Sequence, residues 1–123
     1  MTKCILIVDD EADVREVTKL GLEMSTDWQI LTATSGADAI EIAAQAHLDA
    51  ILLDMMMPDM DGRATLKQLK TDQTQAIPVI LVTAKAHPSN QQDFDSLDVA
   101  AVLAKPFRPL KLAAKISRIL GWE

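Results

Sequence analysis

Acidic, hydroxyl and amino side chains stand at the ends of four apolar runs in this sequence. They are Asp9 and Asp10 after the first run, Asp54 and Thr83 closing two later runs, and Lys105 after the last. Carboxylates that lie close together repel one another unless a cation neutralises them. Mg2+ suits carboxylate oxygens and keeps coordination positions for water or phosphate oxygens. The acids alone therefore predict a metal site.

The hydroxyl and amino groups extend this prediction from metal binding to phosphoryl chemistry. A carboxylate beside Mg2+, such as Asp54, can act as a nucleophile and form an aspartyl phosphate. Lys105 would pair with a phosphate oxygen, and Thr83 would donate a hydrogen bond to another. No histidine or cysteine lies near the acids in the sequence, so zinc is not the predicted metal.

Five short apolar runs are the predicted strands that position these residues. They cover residues 4–8, 28–33, 50–54, 79–83 and 99–104. Continuous apolar runs bounded by turn residues are typical of strands buried on both faces. The run at 28–33 alternates partly, which places it at a sheet edge. Strands alternating with helical patterns predict a parallel sheet, in which the carboxyl ends of the strands share one edge.

Apolar residues recur at helical spacing between the predicted strands. The first and last sets are Val14, Val17, Leu20 and Met24, and Leu110, Ala113, Ile116 and Leu120. Ser35 is a candidate N-cap for the second helix. A short helix is predicted around Leu66 and Leu69, and a polar, weakly periodic stretch at 90–97 predicts another. Helices would thus cover both faces of the sheet.

Composition limits the classes of protein that this chain can be. It has 123 residues, 49% of them hydrophobic, a formal net charge of -6 and one cysteine, Cys4. This size suits a single domain over residues 1–123. The negative charge disfavours direct DNA binding. No apolar run is long enough to span a membrane and no signal peptide opens the chain, so we expect a cytoplasmic protein.

Four linked motifs carry a resemblance to a known family. They are Asp9-Asp10 after Ile-Leu-Ile-Val, Asp54-x-x-Met57-Pro58-x-x-Asp61-Gly62, Thr83-Ala84 and Lys105-Pro106-Phe107. In this order, across essentially the whole chain, they resemble the receiver domain of bacterial response regulators, which act in two-component signalling. The resemblance implies a flavodoxin-like (βα)5 fold, a doubly wound parallel α/β sheet with strand order 2-1-3-4-5.

The resemblance also implies a role for each residue. Asp54 would accept a phosphoryl group from a sensor histidine kinase or a phosphotransfer protein, with Thr83 as the switch hydroxyl and Lys105 pairing with phosphate. The implied Mg2+ ligands are Asp10, Asp54 and the main-chain carbonyl of Met56, with Asp9 acting mainly through water. Such a domain assists its own phosphorylation and dephosphorylation but is a signalling domain rather than an enzyme. The Lys105–Pro106 peptide bond is often cis in the family.

Several positions depart from the family pattern. Val102 stands where the family usually carries an aromatic switch residue, and Asp98 stands where it often has glycine. We expect the phosphorylation pocket to be intact. At the output face, either Thr83 still moves with no aromatic residue to report the movement, or Val102 simply packs. Met56 and Lys85 occupy positions that influence how long the phosphoryl group survives in the family.

Other functions are weighed against this one. A flavodoxin-like electron carrier would need a phosphate loop rich in Ser, Thr or Gly after the first strand, where this chain has Asp9-Asp10-Glu11. An aspartyl phosphatase would need an acid at Met56. A pseudo-receiver that is never phosphorylated, or a receiver cut from a longer regulator or hybrid kinase, stays open. Because no output segment follows Trp122, we expect a downstream effector protein to read the signal.

Overall fold

The computed structural model describes residues 2–55, 62–70, 74–83, 99–105 and 107–122. The strands are β1 (Cys4–Val8), β2 (Gln29–Ala33), β3 (Ala50–Asp54), β4 (Val79–Thr83) and β5 (Ala101–Ala104). The helices are α1 (Ala12–Ser25), α2 (Gly36–Gln45), α3 (Gly62–Leu69) and α4 (Pro109–Leu120). All neighbouring strands are parallel, and their order is β2-β1-β3-β4-β5. The predicted α/β fold with strand order 2-1-3-4-5 is confirmed.

Helices cover both faces of the sheet because the central strands are apolar on both sides. Every residue of β3 and β4 is buried. Alternate side chains of β1 enter two separate clusters: Leu6 packs with α2 and α3, whereas Ile5 packs with α1 and α4. Period-two alternation along a strand produces this division. The two clusters hold the sheet rigid, so the strand ends have fixed relative positions.

Local signals in the sequence explain where two of the helices begin and end. Ser35 caps α2 by accepting a hydrogen bond of 3.1 Å from the Asp38 N–H, as predicted. Pro109 occupies the first turn of α4, where a missing N–H costs nothing. Gly121 ends α4 with φ of 70°, a left-handed conformation that glycine adopts without strain.

The helix predicted from the apolar spacing is confirmed as α1, but most of the residues that carry that spacing face outward. Val17, Leu20 and Met24 are 53%, 57% and 68% exposed, whereas Thr18, Gly21 and Leu22 are buried. The physical reason is the close approach of α1 to α4, which only a glycine at position 21 permits. In α4, Ala113 and Ile116 of the apolar set are buried together with Leu112, whereas Leu110 is exposed.

Gly21 provides a test of this helix contact. A Cβ at position 21 would lie 2.5 Å from the Pro109 Cβ and 2.8 Å from its carbonyl carbon. We expect Gly21→Ala to lower the free energy of unfolding by about 1–2 kcal/mol, because overpacking outweighs the gain of about 1 kcal/mol in helix propensity. Urea unfolding measures the change. Ala114→Gly, at an exposed position of α4, measures the propensity contribution alone. A stabilised Gly21→Ala variant would contradict the close packing.

Two predictions about the edges of the sheet have different outcomes. β2 lies at an edge as predicted. β5 is the other edge strand, begins at Ala101 rather than at residue 99, and is only partly buried.

Some predictions fall outside the described residues. They concern the helix at 90–97, the residues Asp98, Lys85 and Met56, and the Lys105–Pro106 peptide bond. Within the described ranges, the helices are too short or too polar to cross a membrane.

Candidate functional site

The carboxyl ends of four adjacent strands bring the predicted site residues to one edge of the sheet. Asp9 and Asp10 follow β1, Asp54 ends β3, Thr83 ends β4 and Lys105 follows β5. Strand pairing fixes their neighbourhood, since Val8 pairs with Leu53 and Thr83 pairs with Ala104. The Lys105 N–H donates to the Thr83 carbonyl at 2.9 Å, which continues the ladder beyond β5. Thr83 itself is 1% exposed.

Three carboxylates converge at this edge, as the sequence predicts. One oxygen from each of Asp9, Asp10 and Asp54 lies within 4.8 Å of the others. Asp9 and Asp54 are buried, each 4% exposed, whereas Asp10 is exposed to solvent. Two buried acids and an exposed one form a hard, oxygen-only donor set of the kind that Mg2+ prefers.

The ammonium group of Lys105 lies close to two of the acids. Its Nζ is 3.1 Å from Asp9 Oδ2 and 3.5 Å from Asp54 Oδ2. Burial alone would lower the pKa of Lys105, but the hydrogen bond to Asp9 and the charges of Asp54 and Asp9 outweigh it. The pKa of the ammonium therefore lies above its ordinary value, and the group stays protonated at neutral pH.

This ion-pair arrangement makes a prediction about stability. Lys105→Met should lower the free energy of unfolding of the metal-free protein by about 1–2 kcal/mol at pH 7, because two buried acids lose their cation. The folded-state pKa of Lys105 is raised above 10.5, so its stabilisation is complete below pH 10.5. It is lost as the pH rises through the folded-state pKa.

Urea unfolding of both proteins from pH 7 to pH 11 would measure this difference. Lys111→Met is the matched control, because Lys111 is an exposed lysine of α4. We expect the control to change stability little at any pH. A difference between wild type and Lys105→Met that stays constant through the alkaline range would contradict the charge-pair explanation.

Asp9 has all four of its polar groups engaged by the protein. Its N–H donates to the Ala33 carbonyl at 3.2 Å, and its carbonyl accepts from Arg15 Nη1 at 2.8 Å. Its Oδ1 accepts from the Glu11 N–H at 2.9 Å, and its Oδ2 accepts from Lys105. Asp9 is therefore an anchor of the site, and its oxygens are less available to a metal than those of the exposed Asp10.

Arg15 contacts the acidic site although its sequence position did not predict this. It lies one turn into α1, is partly buried, and reaches back over the first turn to the Asp9 carbonyl. The available signal was a basic residue six positions after the first acid, on a helix that begins beside the site. Phe107 was noticed only as part of a motif, and it lines the small cavity beneath Asp9 and Asp54.

Two further positions singled out from the sequence are Val102 and Met56. Val102 is partly buried, pairs with Leu81 and packs against the cluster on the α2 and α3 side of the sheet. Its packing agrees with an aliphatic core position, and its effect on switching stays a prediction. Met56, whose carbonyl is a predicted metal ligand, lies outside the described residues.

Comparisons with known proteins identify the family of this chain. The family model for the response regulator receiver domain matches residues 5–117. The chain is 38% identical, over 121 residues, to the phosphate regulon transcriptional regulatory protein PhoB of Pseudomonas aeruginosa, a match that covers 96% of this chain and 52% of that protein. The chain spans about half the length of these curated relatives.

Solved structures give the same result for the fold. The chemotaxis response regulator CheY4 of Vibrio cholerae superposes with a TM-score of 0.88 at 27% identity, covering 97% of this chain and 99% of that one. A signal receiver domain of a signal transduction histidine kinase from Syntrophus aciditrophicus superposes with a TM-score of 0.85 at 30% identity, covering 98% and 92%. By the family match over nearly its whole length, this chain belongs to the response regulator receiver domain family of two-component systems.

Proposed function

We propose that this receiver domain accepts a phosphoryl group on Asp54 in a reaction that depends on Mg2+. The observation that carries the proposal is the convergence of three carboxylates with Lys105 in contact with two of them. Asp54 ends a strand that is buried throughout, so rigid backbone positions its carboxylate. A positioned nucleophile with a cation beside it is the arrangement that phosphoryl transfer requires.

Asp10 and Asp54 are the proposed direct ligands of the metal. Asp9 would contact it through water, because both of its carboxylate oxygens already accept hydrogen bonds from the protein. The resemblance adds the Met56 carbonyl as a further ligand. When bound, Mg2+ would neutralise charge on the acids and on the phosphoryl oxygens, which otherwise repel.

The transfer step itself uses Asp54 and Lys105. A carboxylate oxygen of Asp54 attacks the phosphorus of a phosphohistidine on the donor protein. The new O–P bond forms as the N–P bond breaks, and the electron pair returns to the donor imidazole nitrogen, which takes a proton from water. The Lys105 ammonium moves from the carboxylates to pair with a phosphate oxygen, and the Thr83 hydroxyl donates to another.

A histidine kinase or phosphotransfer protein is the proposed donor, and the surface beside the site suits a protein partner. A cavity of about 390 Å3 between α1 and the start of α4 is lined by Lys105 together with Val14, Val17 and Phe107. Leu20 and Met24 follow Val17 at helical spacing on α1, and their side chains are also exposed. A donor that delivers a phosphoryl group to Asp54 must cover this surface, and apolar burial would hold it there.

Output would follow from a change of surface that a partner protein reads. In this proposal the phosphoryl group draws the Thr83 hydroxyl toward it and biases the domain between two conformations. Signalling through a downstream effector, and a cytoplasmic location, stay predictions. A receiver within a longer regulator or a hybrid kinase uses the same chemistry, and a pseudo-receiver would lack it.

Incubation with acetyl phosphate tests the proposal without a cognate donor. We expect the intact mass to rise by one phosphoryl group in the presence of Mg2+ and to stay unchanged when EDTA removes the metal. A chain that gains no phosphoryl group at any Mg2+ concentration would instead support the pseudo-receiver. Phosphorylation that proceeds equally well in EDTA would exclude the metal-dependent mechanism.

A further inference from the structure

The loop that carries the acids is held by an interaction from the side chain of Arg15. Arg15 Nη1 donates a hydrogen bond of 2.8 Å to the main-chain carbonyl of Asp9. Arg15 also makes the first backbone hydrogen bond of α1, from its N–H to the Glu11 carbonyl at 3.0 Å. Its side chain thus ties the second turn of the helix to the end of β1, across the segment that contains Asp10.

This contact matters because α1 lacks an ordinary cap. Glu11 is the N-cap residue, and its side chain makes no capping hydrogen bond. Two interactions fix the loop instead: the bond from Arg15 to the Asp9 carbonyl, and the bond from the Glu11 N–H to Asp9 Oδ1. They lie on either side of Asp10, whose exposed carboxylate is positioned by its backbone rather than by packing.

We propose that Arg15 is a positioning residue of the acidic site, whose hydrogen bond to the Asp9 carbonyl holds Asp10 in the geometry that binds Mg2+. This inference rests on the proposed function, because it concerns the same metal site. Arg15 touches neither the metal nor the reacting atoms in this scheme. It acts through the backbone, as outer partners of metal ligands do.

The sign of the effect separates positioning from simple electrostatics. Arg15 carries a positive charge beside Asp9, so its removal should tighten Mg2+ binding if charge alone mattered. If Arg15 positions the loop, its removal should weaken binding despite the extra net negative charge. These opposite expectations make the affinity of one variant decisive.

Calorimetric titration of Mg2+ into the wild type and Arg15→Met provides the test. We expect Arg15→Met to bind Mg2+ about tenfold more weakly, the lower end of what loss of an outer partner costs. Arg15→Lys keeps the charge with a single amino donor, and we expect it to lie between the two. Arg118→Met is the matched control, because it makes the same charge change at an exposed position in the last turn of α4. We expect its Mg2+ affinity to equal that of the wild type.

A second measurement, made without metal, reports how firmly the loop between β1 and α1 is held. Hydrogen exchange of the Glu11 amide should accelerate in Arg15→Met, whereas exchange of the Asp38 amide, which bonds to Ser35, should not change. Unchanged or tighter Mg2+ binding by Arg15→Met, with the Asp38 amide still protected, would overturn the inference and leave the proposed function standing. Failure of the wild type to bind Mg2+ would overturn both.

Discussion

Asp54→Asn should abolish phosphoryl uptake from acetyl phosphate. An amide oxygen carries no negative charge and is a poor nucleophile, so the O–P bond cannot form at an observable rate. Asparagine has nearly the shape of aspartate and therefore fits the buried end of β3, so the fold should persist. The intact mass of the variant after incubation with acetyl phosphate and Mg2+ should equal that of the untreated protein.

Asp27→Asn is the control for this experiment, because Asp27 is exposed and lies between α1 and β2, away from the acidic site. It makes the same chemical substitution, and we expect phosphoryl uptake at the wild-type rate. Uptake by Asp54→Asn at that same rate would place the acceptor elsewhere and remove the basis of the proposed mechanism. Asp54→Asn should also be more stable without metal, because it relieves repulsion among the acids.

Asp10→Asn should weaken Mg2+ binding by about a hundredfold. Loss of an outer partner alone costs about tenfold to a hundredfold in metal affinity, and Asp10 is a proposed direct ligand. Both oxygens of Asp9 are engaged by Glu11 and Lys105, so Asp9 is poorly placed to substitute for it. Calorimetry of Mg2+ binding measures the effect, and the metal-dependent rise in the midpoint of thermal unfolding should shrink in parallel.

Glu11→Gln tests whether Asp10→Asn loses Mg2+ affinity because a ligand is lost or because a negative charge is lost. Glu11 is the next residue, is also exposed, and is not among the three converging acids. Its substitution makes the same charge change close to the site. We expect Mg2+ affinity within about threefold of the wild type, since an exposed charge is strongly screened by salt. Equal losses in the two variants would mean that Asp10 acts through its charge and not as a ligand.

The sequence predicts the central part of this fold well because three strands are buried on both faces. β1, β3 and β4 are continuous apolar runs that end on or just before a polar residue, and their observed bounds match the prediction. β5 is an edge strand with one buried residue, Leu103, so its apolar pattern does not mark its start. In α1 the buried side follows from Gly21 and its contact with α4, which no periodicity of apolar residues reveals.

For the site, the sequence predicts which residues come together but not the contacts that they make. Asp9, Asp10, Asp54 and Lys105 could be brought together from sequence because parallel strands end at a common edge. The contact of Lys105 with Asp9 depends on how the chain leaves β5. The bond from Arg15 to a main-chain carbonyl depends on the direction of α1 relative to the loop. The apolar pattern does not predict this contact, and its one signal in the sequence is a basic residue six positions after Asp9.

Locating the phosphoryl group on the chain tests the central claim most directly. After incubation with acetyl phosphate and Mg2+, peptide mapping by mass spectrometry should find a single phosphoryl group on Asp54. Hydroxylamine should release it, because it attacks the carbonyl carbon of an acyl phosphate. A phosphoryl group on His47 or Thr83, or one that hydroxylamine does not release, would contradict the assignment of Asp54 as the acceptor.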